Sequence, residues 1–238
     1  MLLRFTSTDM LNTSLVDPIT GNSVYDIVTG LHKSCSDWEA PSRASSSNTA
    51  ASPSSMSPAS TESTIEHRYT CIQDAQGKVV CEITWNGRHP SITFGHERIA
   101  SLSDLFGRTD IPFQPKILAL PTRFDADLVW TATPESLTLY DYVTEQTRGT
   151  FYQNIFRVPA TKDSFLETGI PGLGSNYLAF EDHPFASAVE TIVTFIMMEI
   201  LRRGRFGLTP HTFKQPKLWQ LSEARSMMTR RIRRRYTV

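Results

Sequence analysis

Apolar and polar residues alternate over most of the chain up to about residue 180, which is the pattern of half-buried β-strands. The first such stretch runs from Leu2 to Thr29 and is interrupted at residues 17–22, where Asp, Pro, Gly and Asn favour a turn. After Trp85 the runs recur at a spacing of about 8 to 12 residues, with Pro, Gly and Asp between them. These later runs are residues 91–94, 98–102, 116–120, 127–131, 136–141, 149–157, 164–166 and 176–180. No segment of helical period separates them, so the pattern predicts an antiparallel meander that curls into a barrel or a sandwich.

The clearest hairpin lies within residues 65–85, where two alternating runs flank Asp-Ala-Gln-Gly-Lys. This linker suits a type I turn followed by a left-handed glycine. Pairing Asp74 with Lys78 predicts that Cys71 lies directly opposite Cys81 on the apolar face. We interpret these two cysteines as small core residues, with a redox pair as the alternative.

The first residues of the chain do not have the pattern of a signal peptide, because the apolar run is short and a charge follows at Arg4. We therefore expect a cytoplasmic protein that is also able to enter the nucleus or to bind a membrane peripherally. In such a reducing compartment its three cysteines are expected to be thiols.

A change of period near residue 184 predicts a single long helix. Pro184 suits a first turn, residues 186–201 are apolar in nearly every direction around a helix axis, and residues 202–204 read Arg-Arg-Gly, a stop signal. A helix that is apolar all round must be enclosed by protein or by lipid. The segment is shorter than the roughly 20 residues that a bilayer needs and contains Glu190 and Glu199, so we favour enclosure by protein, with a membrane span as the alternative.

The two carboxylates of this helix are not expected to form one site. At 100° per residue, nine positions place Glu190 and Glu199 on opposite sides of the axis. We expect Glu199 to meet an arginine at the mouth of the barrel and Glu190 to interact favourably with the helix dipole.

Three segments resemble a known family. They are Asp17–Thr29, with Gly-x-x-Val-Tyr-x-Ile-x-Thr, then Val80–Trp85, and Thr191–Arg203, which ends in Glu-Ile-Leu-Arg-Arg. In these segments the chain resembles an uncharacterised fungal (basidiomycete) domain-of-unknown-function family. Its layout is similar to the tubby-like and phospholipid-scramblase-like folds, and the resemblance implies a closed β-barrel threaded by a hydrophobic helix. Tubby-like proteins suggest phosphoinositide binding, but none of their lipid-contacting residues matches a position here, so that function is not transferred.

These patterns together predict a mainly β chain: an antiparallel closed β-barrel or strongly curved sheet enclosing a C-terminal hydrophobic helix, followed by a basic tail helix. Residues 1–40 form the first strands, 65–205 the remainder of the barrel and the central helix, and 206–238 a basic amphipathic tail. Residues 41–64 contain ten serines, three threonines and three prolines and are predicted to be a disordered insertion. Trp85, Phe195 and Ile196 are expected in the structural core.

The net charge of zero conceals a strong asymmetry. From Arg202 to the last residue there are eleven basic residues and one acidic residue, whereas residues 1–201 hold 13 basic and 23 acidic residues. In the tail, apolar residues recur at helical spacing; they are Leu218, Leu221, Ala224, Met228 and Ile232. The arginines that occupy its other directions, and that we expect to contact an anionic surface, are Arg225, Arg230, Arg231, Arg233, Arg234 and Arg235.

A basic amphipathic helix of this kind can bind anionic lipid headgroups, an acidic protein or nucleic-acid phosphates, or can dock on the acidic body of its own chain. No aromatic platform accompanies the arginines, which disfavours sequence-specific recognition of nucleic acid. The sequence shows no catalytic, cofactor or metal motif, and it favours a non-enzymatic binding or scaffold module. A small hydrolase with a pocket at the barrel mouth, or a protein–protein adaptor, is the alternative.

Overall fold

The computed structural model describes residues 1–31, 68–86, 89–107, 115–157, 165–168 and 173–208. Within these residues the chain forms strands and two helices in a fixed order. The strands are β1 (Leu2–Phe5), β2 (Thr13–Val16), β3 (Ser23–Gly30), β4 (Arg68–Asp74), β5 (Val79–Asn86), β6 (His89–Phe94), β7 (Glu97–Ile99), β8 (Leu118–Pro121), β9 (Leu128–Ala132), β10 (Leu137–Asp141), β11 (Gln146–Arg157), β12 (Phe165–Glu167) and β13 (Ser175–Phe180). The helices are α1 (Leu102–Leu105), between β7 and β8, and α2 (Ala188–Phe206), after β13.

All of these strands belong to one antiparallel sheet, so the prediction of a mainly β chain is confirmed. The order across the sheet is β7-β6-β5-β4-β3-β2-β1-β13-β11-β10-β9-β8, and β12 pairs with β11 beside this path. Two meanders, β1 to β7 and β8 to β11, are thus joined where the last strand, β13, inserts between β1 and β11. The first and last strands along the chain, β1 and β13, are therefore direct neighbours in the sheet.

The sheet is not closed by strand pairing within the described residues, because β7 and β8 are its two edges. The predicted closed barrel is not confirmed for this reason. The two edges are bridged instead by the chain that connects them. Leu102 and Leu105 of α1 are fully buried, Phe106 forms an isolated bridge with Thr122, and the Gly107 amide donates to the Pro121 carbonyl at 2.9 Å.

We call this connection the seam: Glu97, residues 102–107 and residues 121–123. Its close approach explains the glycine at position 107, since a Cβ there would lie 2.6 Å from the Thr122 carbonyl oxygen. The short helix α1 was not predicted. A four-residue helix is too short to produce a recognisable helical period in the sequence.

Helix α2 is surrounded by protein, as the sequence predicts. Every residue from Glu190 to Arg202 is buried, which is more than three turns and so covers all directions around the axis. Phe195 lies between rings from three strands, with centroid distances of 4.7 Å to Phe151, 5.8 Å to Phe5 and 6.1 Å to Trp130. The Trp130 indole donates to the Thr194 hydroxyl at 3.0 Å. Because strands from separate parts of the sheet contact one helix, the sheet must curve around it.

The ends of α2 differ from the prediction by a few residues. Ser187 is the N-cap, and its hydroxyl accepts from the Glu190 amide at 3.2 Å. At the other end the helix continues through Gly204 and ends at Phe206, followed by Gly207 in the left-handed conformation with φ of 64°. A mid-helix glycine costs only about 1 kcal/mol, so Gly204 does not by itself end the helix. The effective stop is Gly207, where the chain needs a positive φ.

The β4–β5 hairpin has the predicted turn but a different register. Asp74 and Lys78 pair as expected, and the Asp74 amide donates to the Lys78 carbonyl at 2.9 Å. A bulge next to Ile72 then shifts the pairing by one residue, so that Cys81 faces Ile72 and Cys71 faces Glu82. The predicted placement of Cys71 opposite Cys81 is therefore wrong, because a one-residue slip moves a side chain to the other face.

The two cysteines also differ in chemical state. Cys81 is a free thiol, 1% exposed in the core, and its pKa is raised far above the usual value because burial disfavours the thiolate. Cys71 is disulfide-bonded, but not to Cys81. The prediction that all cysteines are thiols is thus wrong for Cys71.

Two of the predicted segments lie wholly or largely outside the described residues. The serine-rich insertion at 41–64 lies outside the described residues, although the strands that flank it, β3 and β4, pair directly with each other. The basic tail was predicted over 206–238, and of this segment only residues 206–208 are described.

Candidate functional site

The antiparallel sheet has two ends with different chemistry. Consecutive hairpin turns of a meander alternate between the two ends of the sheet. Five turns therefore lie at the end where α2 begins: β2–β3, β4–β5, β6–β7, β8–β9 and β10–β11. We call this the acidic end, and it also includes Met1 and residues 181–190. The opposite end, where α2 finishes, we call the basic end. Contacts from Arg123 to Glu190 at the first and from Arg202 to the β9–β10 turn at the second support this division.

Acidic side chains predominate where α2 begins. Four basic side chains, Lys78, Arg98, Arg123 and Arg148, lie at this end together with the N-terminal amine of Met1. The ten acidic residues are Asp17, Asp74, Glu97, Asp125, Asp127, Asp141, Glu145, Glu181, Asp182 and Glu190. Asp127, Glu145 and Asp182 are exposed, and none of these three forms an ion pair with another described residue. The end therefore carries a net negative field that its own arginines compensate only in part.

Arg123 fastens the seam to the helix. Its guanidinium binds Glu97 of β7 through two nitrogens, one of them at 2.9 Å, and its Nε donates to Glu190 of α2. The hydrogen bonds from Arg123 hold the pKa of Glu97 below its usual value, against a smaller opposing effect of burial. One side chain from the loop after β8 thus connects both sheet edges with the first turn of the buried helix.

Arg148 organises the β10–β11 turn in a similar way. It donates to Glu181 at 2.7 Å, to Asp141 at 3.3 Å and to the Thr144 hydroxyl at 3.2 Å. The pKa of Asp141 is lowered to about 2, because several hydrogen bonds favour its ionised form. They come from the hydroxyl and the backbone amide of Thr144, from the backbone amide of Val143 and from the side chain of Arg148. The turn is therefore held in shape by a permanently charged carboxylate at neutral pH.

His183 is the residue at this end that most resembles a catalytic group, because its Nε2 lies 3.3 Å from a carboxylate oxygen of Asp125. Its other ring nitrogen, Nδ1, accepts from the Phe185 amide at 3.2 Å. A general base in a His–Asp pair needs the nitrogen opposite the carboxylate to be free for the nucleophile. That nitrogen is occupied here, so the arrangement positions the loop before α2 and does not provide a base for the hydrolase alternative.

Large apolar side chains are also exposed at the acidic end. Of the nine exposed large hydrophobic residues in the described part of the chain, five belong to this end. They are Met1, Ile19, Tyr142, Val143 and Phe185, and their exposure is 46%, 75%, 49%, 72% and 78%. Exposed apolar residues gathered at one end and surrounded by charged groups are typical of an interaction surface.

The basic end is occupied by a buried ionic network. Glu199 is fully buried and accepts from Arg202 Nε at 2.6 Å, from Arg203 Nε at 2.7 Å and from Gln153 at 3.2 Å. Arg202, only 1% exposed, donates in turn to Gln153 Oε1 and to the Thr133 and Pro134 carbonyls. This is the arginine contact that the sequence predicts for Glu199, at the opposite end of α2 from Glu190. Its satisfied hydrogen bonds mark a structural role.

The predicted site residues are placed as follows. Phe195 and Ile196 are fully buried in α2, and Trp85 is partly buried against the core, with its indole donating to the Thr70 hydroxyl at 2.7 Å. The arginines expected to bind an anionic surface lie outside the described residues; they are Arg225, Arg230, Arg231, Arg233, Arg234 and Arg235.

No sequence motif indicates Arg123, Arg148 or the apolar residues at the turn tips. Single arginines next to turns carry no motif. Their partners, Glu97 and Glu181, are distant in sequence, so only the strand order brings them together. A signal was present for the turn tips, since Val143 and Phe185 are large apolar residues in otherwise polar turns.

Comparison of the chain with family models, with curated proteins and with solved structures finds no match in any of the three. Within the described ranges, no cluster of three metal-ligating side chains is present. In the same ranges, neither helix is both long enough and apolar enough to cross a bilayer.

Proposed function

We propose that this chain is a non-enzymatic binding module whose basic tail binds anionic phospholipid. The observation that carries the proposal is the composition of residues 209–238, which hold eight basic residues and one acidic residue, with apolar positions at helical spacing. Such a segment gains free energy from apolar contact with the interface and from the negative surface potential.

The described end of α2 supports this proposal through its charge. Residues 209–238 follow directly after the basic end, which is close to charge balance and lacks the acidic excess of the opposite end. Its basic residues are Arg68, Lys116, Arg157, Arg202, Arg203 and Arg205, and its acidic residues are Asp9, Asp104, Glu135, Glu167 and Glu199. A body that presents its acidic side to an anionic bilayer would be repelled. The polarity of the sheet therefore favours an orientation with the basic end and the tail towards the lipid and the acidic end towards the solvent.

The large antiparallel sheet curved around a late buried helix also supports the proposed relation to tubby-like and scramblase-like folds at the level of layout. Membership of the fungal family and complete closure of the barrel are parts of this proposal. The exposed apolar residues at the acidic end favour one second function, that of a protein–protein adaptor.

Flotation of the full chain with phosphatidylserine or phosphoinositide vesicles tests the lipid proposal. We expect binding that is absent with phosphatidylcholine vesicles. Changing Arg230, Arg231, Arg233, Arg234 and Arg235 to Gln should weaken it by more than about a hundredfold, since each charge near the surface contributes roughly 1 kcal/mol.

The matched control changes the same five arginines to Lys, which keeps the charge and should keep most of the affinity. Equal flotation of the Gln variant and the unchanged chain would contradict the proposal.

A further inference from the structure

Negative charge and exposed apolar side chains occur together at the acidic end, which is the end of the sheet opposite to the point where the tail begins. The acidic end has ten acidic residues against four basic side chains and the N-terminal amine, and five exposed apolar side chains lie among them. The sequence of the basic tail has the complementary character, because it combines six arginines with apolar residues at helical spacing, which are Leu218, Leu221, Ala224, Met228 and Ile232. A basic amphipathic helix is the ligand that an acidic surface with apolar side chains recognises.

The length of the chain allows the two to meet. Helix α2 has 19 residues, so the ends of the sheet are separated by about 28 Å along its axis. Ten extended residues from Leu208 to Leu218 span about 33 Å. A helix over residues 218–232 would then reach the turns of the acidic end and would be about 22 Å long.

We propose that residues 209–238 dock on the acidic end of their own chain, with the apolar residues of the tail against Ile19, Val143 and Phe185 and the arginines against Asp127, Glu145 and Asp182. These three carboxylates are available because they are exposed and form no ion pair in the described structure, whereas Glu97, Glu181 and Asp141 are held by arginines. Docking covers the apolar residues and neutralises the excess negative charge in one contact.

The docked tail cannot contact a membrane at the same time, so the contact is autoinhibitory. This consequence rests on the proposed function, because it requires that the tail binds lipid when released. The docking itself does not need a membrane and is measured without one.

A photoreactive residue in the full chain locates the tail directly. With Tyr236 replaced by p-benzoylphenylalanine, illumination should join the tail to the turns that contain Ile19, Val143 or Phe185, as identified by mass spectrometry. Mixing heavy-isotope and normal chains separates contacts within one chain from contacts between two. Cross-links only between chains, or only at the basic end, would overturn the proposal.

A charge variant then tests the chemistry. The triple change Asp127→Asn, Glu145→Gln and Asp182→Asn should let trypsin cleave the tail roughly fivefold faster, because screened surface charges each contribute modestly. The matched control is Asp104→Asn, Glu135→Gln and Glu167→Gln, which removes three exposed acidic residues elsewhere and should leave the rate unchanged. Equal cleavage rates in both variants would also overturn the proposal.

Flotation of the same variants separates the two proposals. If both are correct, the Asp127/Glu145/Asp182 variant should bind phosphatidylserine vesicles about fivefold more tightly than the unchanged chain, in proportion to the released tail. Cross-links and altered cleavage without any flotation would leave docking established and reject lipid binding. Flotation without cross-links to the acidic end would reject docking and leave lipid binding established.

Discussion

Glu190 and Glu199 lie on the same helix and are both buried, yet their surroundings differ. Glu190, near the first turn of α2, shares Arg123 with Glu97, whose side chain is 55% exposed. Glu199, near the last turns, is fully buried and binds two arginines and Gln153. The first carboxylate belongs to a partly exposed ion cluster and the second to an interior network.

The comparison shows that the two ends of the helix are fixed by different means. Arg123 fastens the helix to the seam, and solvent still screens part of that contact. Arg202 cannot reach solvent, so its charge depends on Glu199 and on the carbonyls of the β9–β10 turn. Removing one partner should therefore cost much more at the basic end than at the acidic end.

The largest effect is expected for Glu199→Ala. It leaves the buried Arg202 without its carboxylate, and the free energy of unfolding should fall by about 3–5 kcal/mol. Urea denaturation followed by tryptophan fluorescence measures the loss. In the double variant Glu199→Ala with Arg202→Met, the apolar chain replaces the uncompensated charge, and part of the stability should return. A loss below about 1 kcal/mol in the single variant would show that water reaches the network.

A smaller effect is expected for Arg123→Met at the seam. Glu190 then loses its charged hydrogen bond, and the free energy of unfolding should fall by about 1.5–3 kcal/mol. The comparison variant Glu97→Gln removes only the exposed partner and should cost under about 1 kcal/mol. Hydrogen exchange of β7 and β8 amides should accelerate in the Arg123 variant but not in the Glu97 variant. Equal stabilities for the two variants would mean that Arg123 does not fasten the helix.

The smallest effect concerns the response of the acidic end to pH. The pKa of Asp141 is about 2 in the folded chain, below its model-peptide value of 3.8, so folding favours the ionised form. Its contribution is fully present above about pH 4 and is lost as the pH falls from about 4 to about 2. The difference in urea midpoint between the unchanged chain and Asp141→Asn should therefore shrink over that window.

The matched control for this prediction is Glu145→Gln in the same turn, whose side chain accepts none of the hydrogen bonds that hold Asp141. A difference in midpoint that stays constant between pH 6 and pH 2 for Asp141→Asn would contradict the assignment.

Local sequence patterns located most of the elements. The predicted runs at 127–131, 136–141 and 176–180 agree with β9, β10 and β13 to within one residue, since alternation is a property of neighbouring residues. The bulge beside Ile72 could not be predicted from this alternation. It depends on how two strands pack against the core, and one extra residue there reversed the faces expected for the cysteines.

The candidate site was predicted less well, for a related physical reason. The tail and its arginines stand out because they are contiguous in sequence. The seam and the acidic end combine residues from turns that are up to about 170 positions apart, such as Ile19 and Phe185, and no window of sequence contains both.

By itself the amino-acid order determined that this chain forms short antiparallel strands, that one late helix must be surrounded, and that positive charge is concentrated after it. These properties follow from periodicity and composition, which are local. Only the tertiary structure decided that β13 lies between β1 and β11, that Arg123 joins both sheet edges to Glu190, and that acidic and apolar turn residues share one end. The reason is that strand order and the burial of charges are settled by contacts between distant residues, where desolvation requires each buried charge to find a partner.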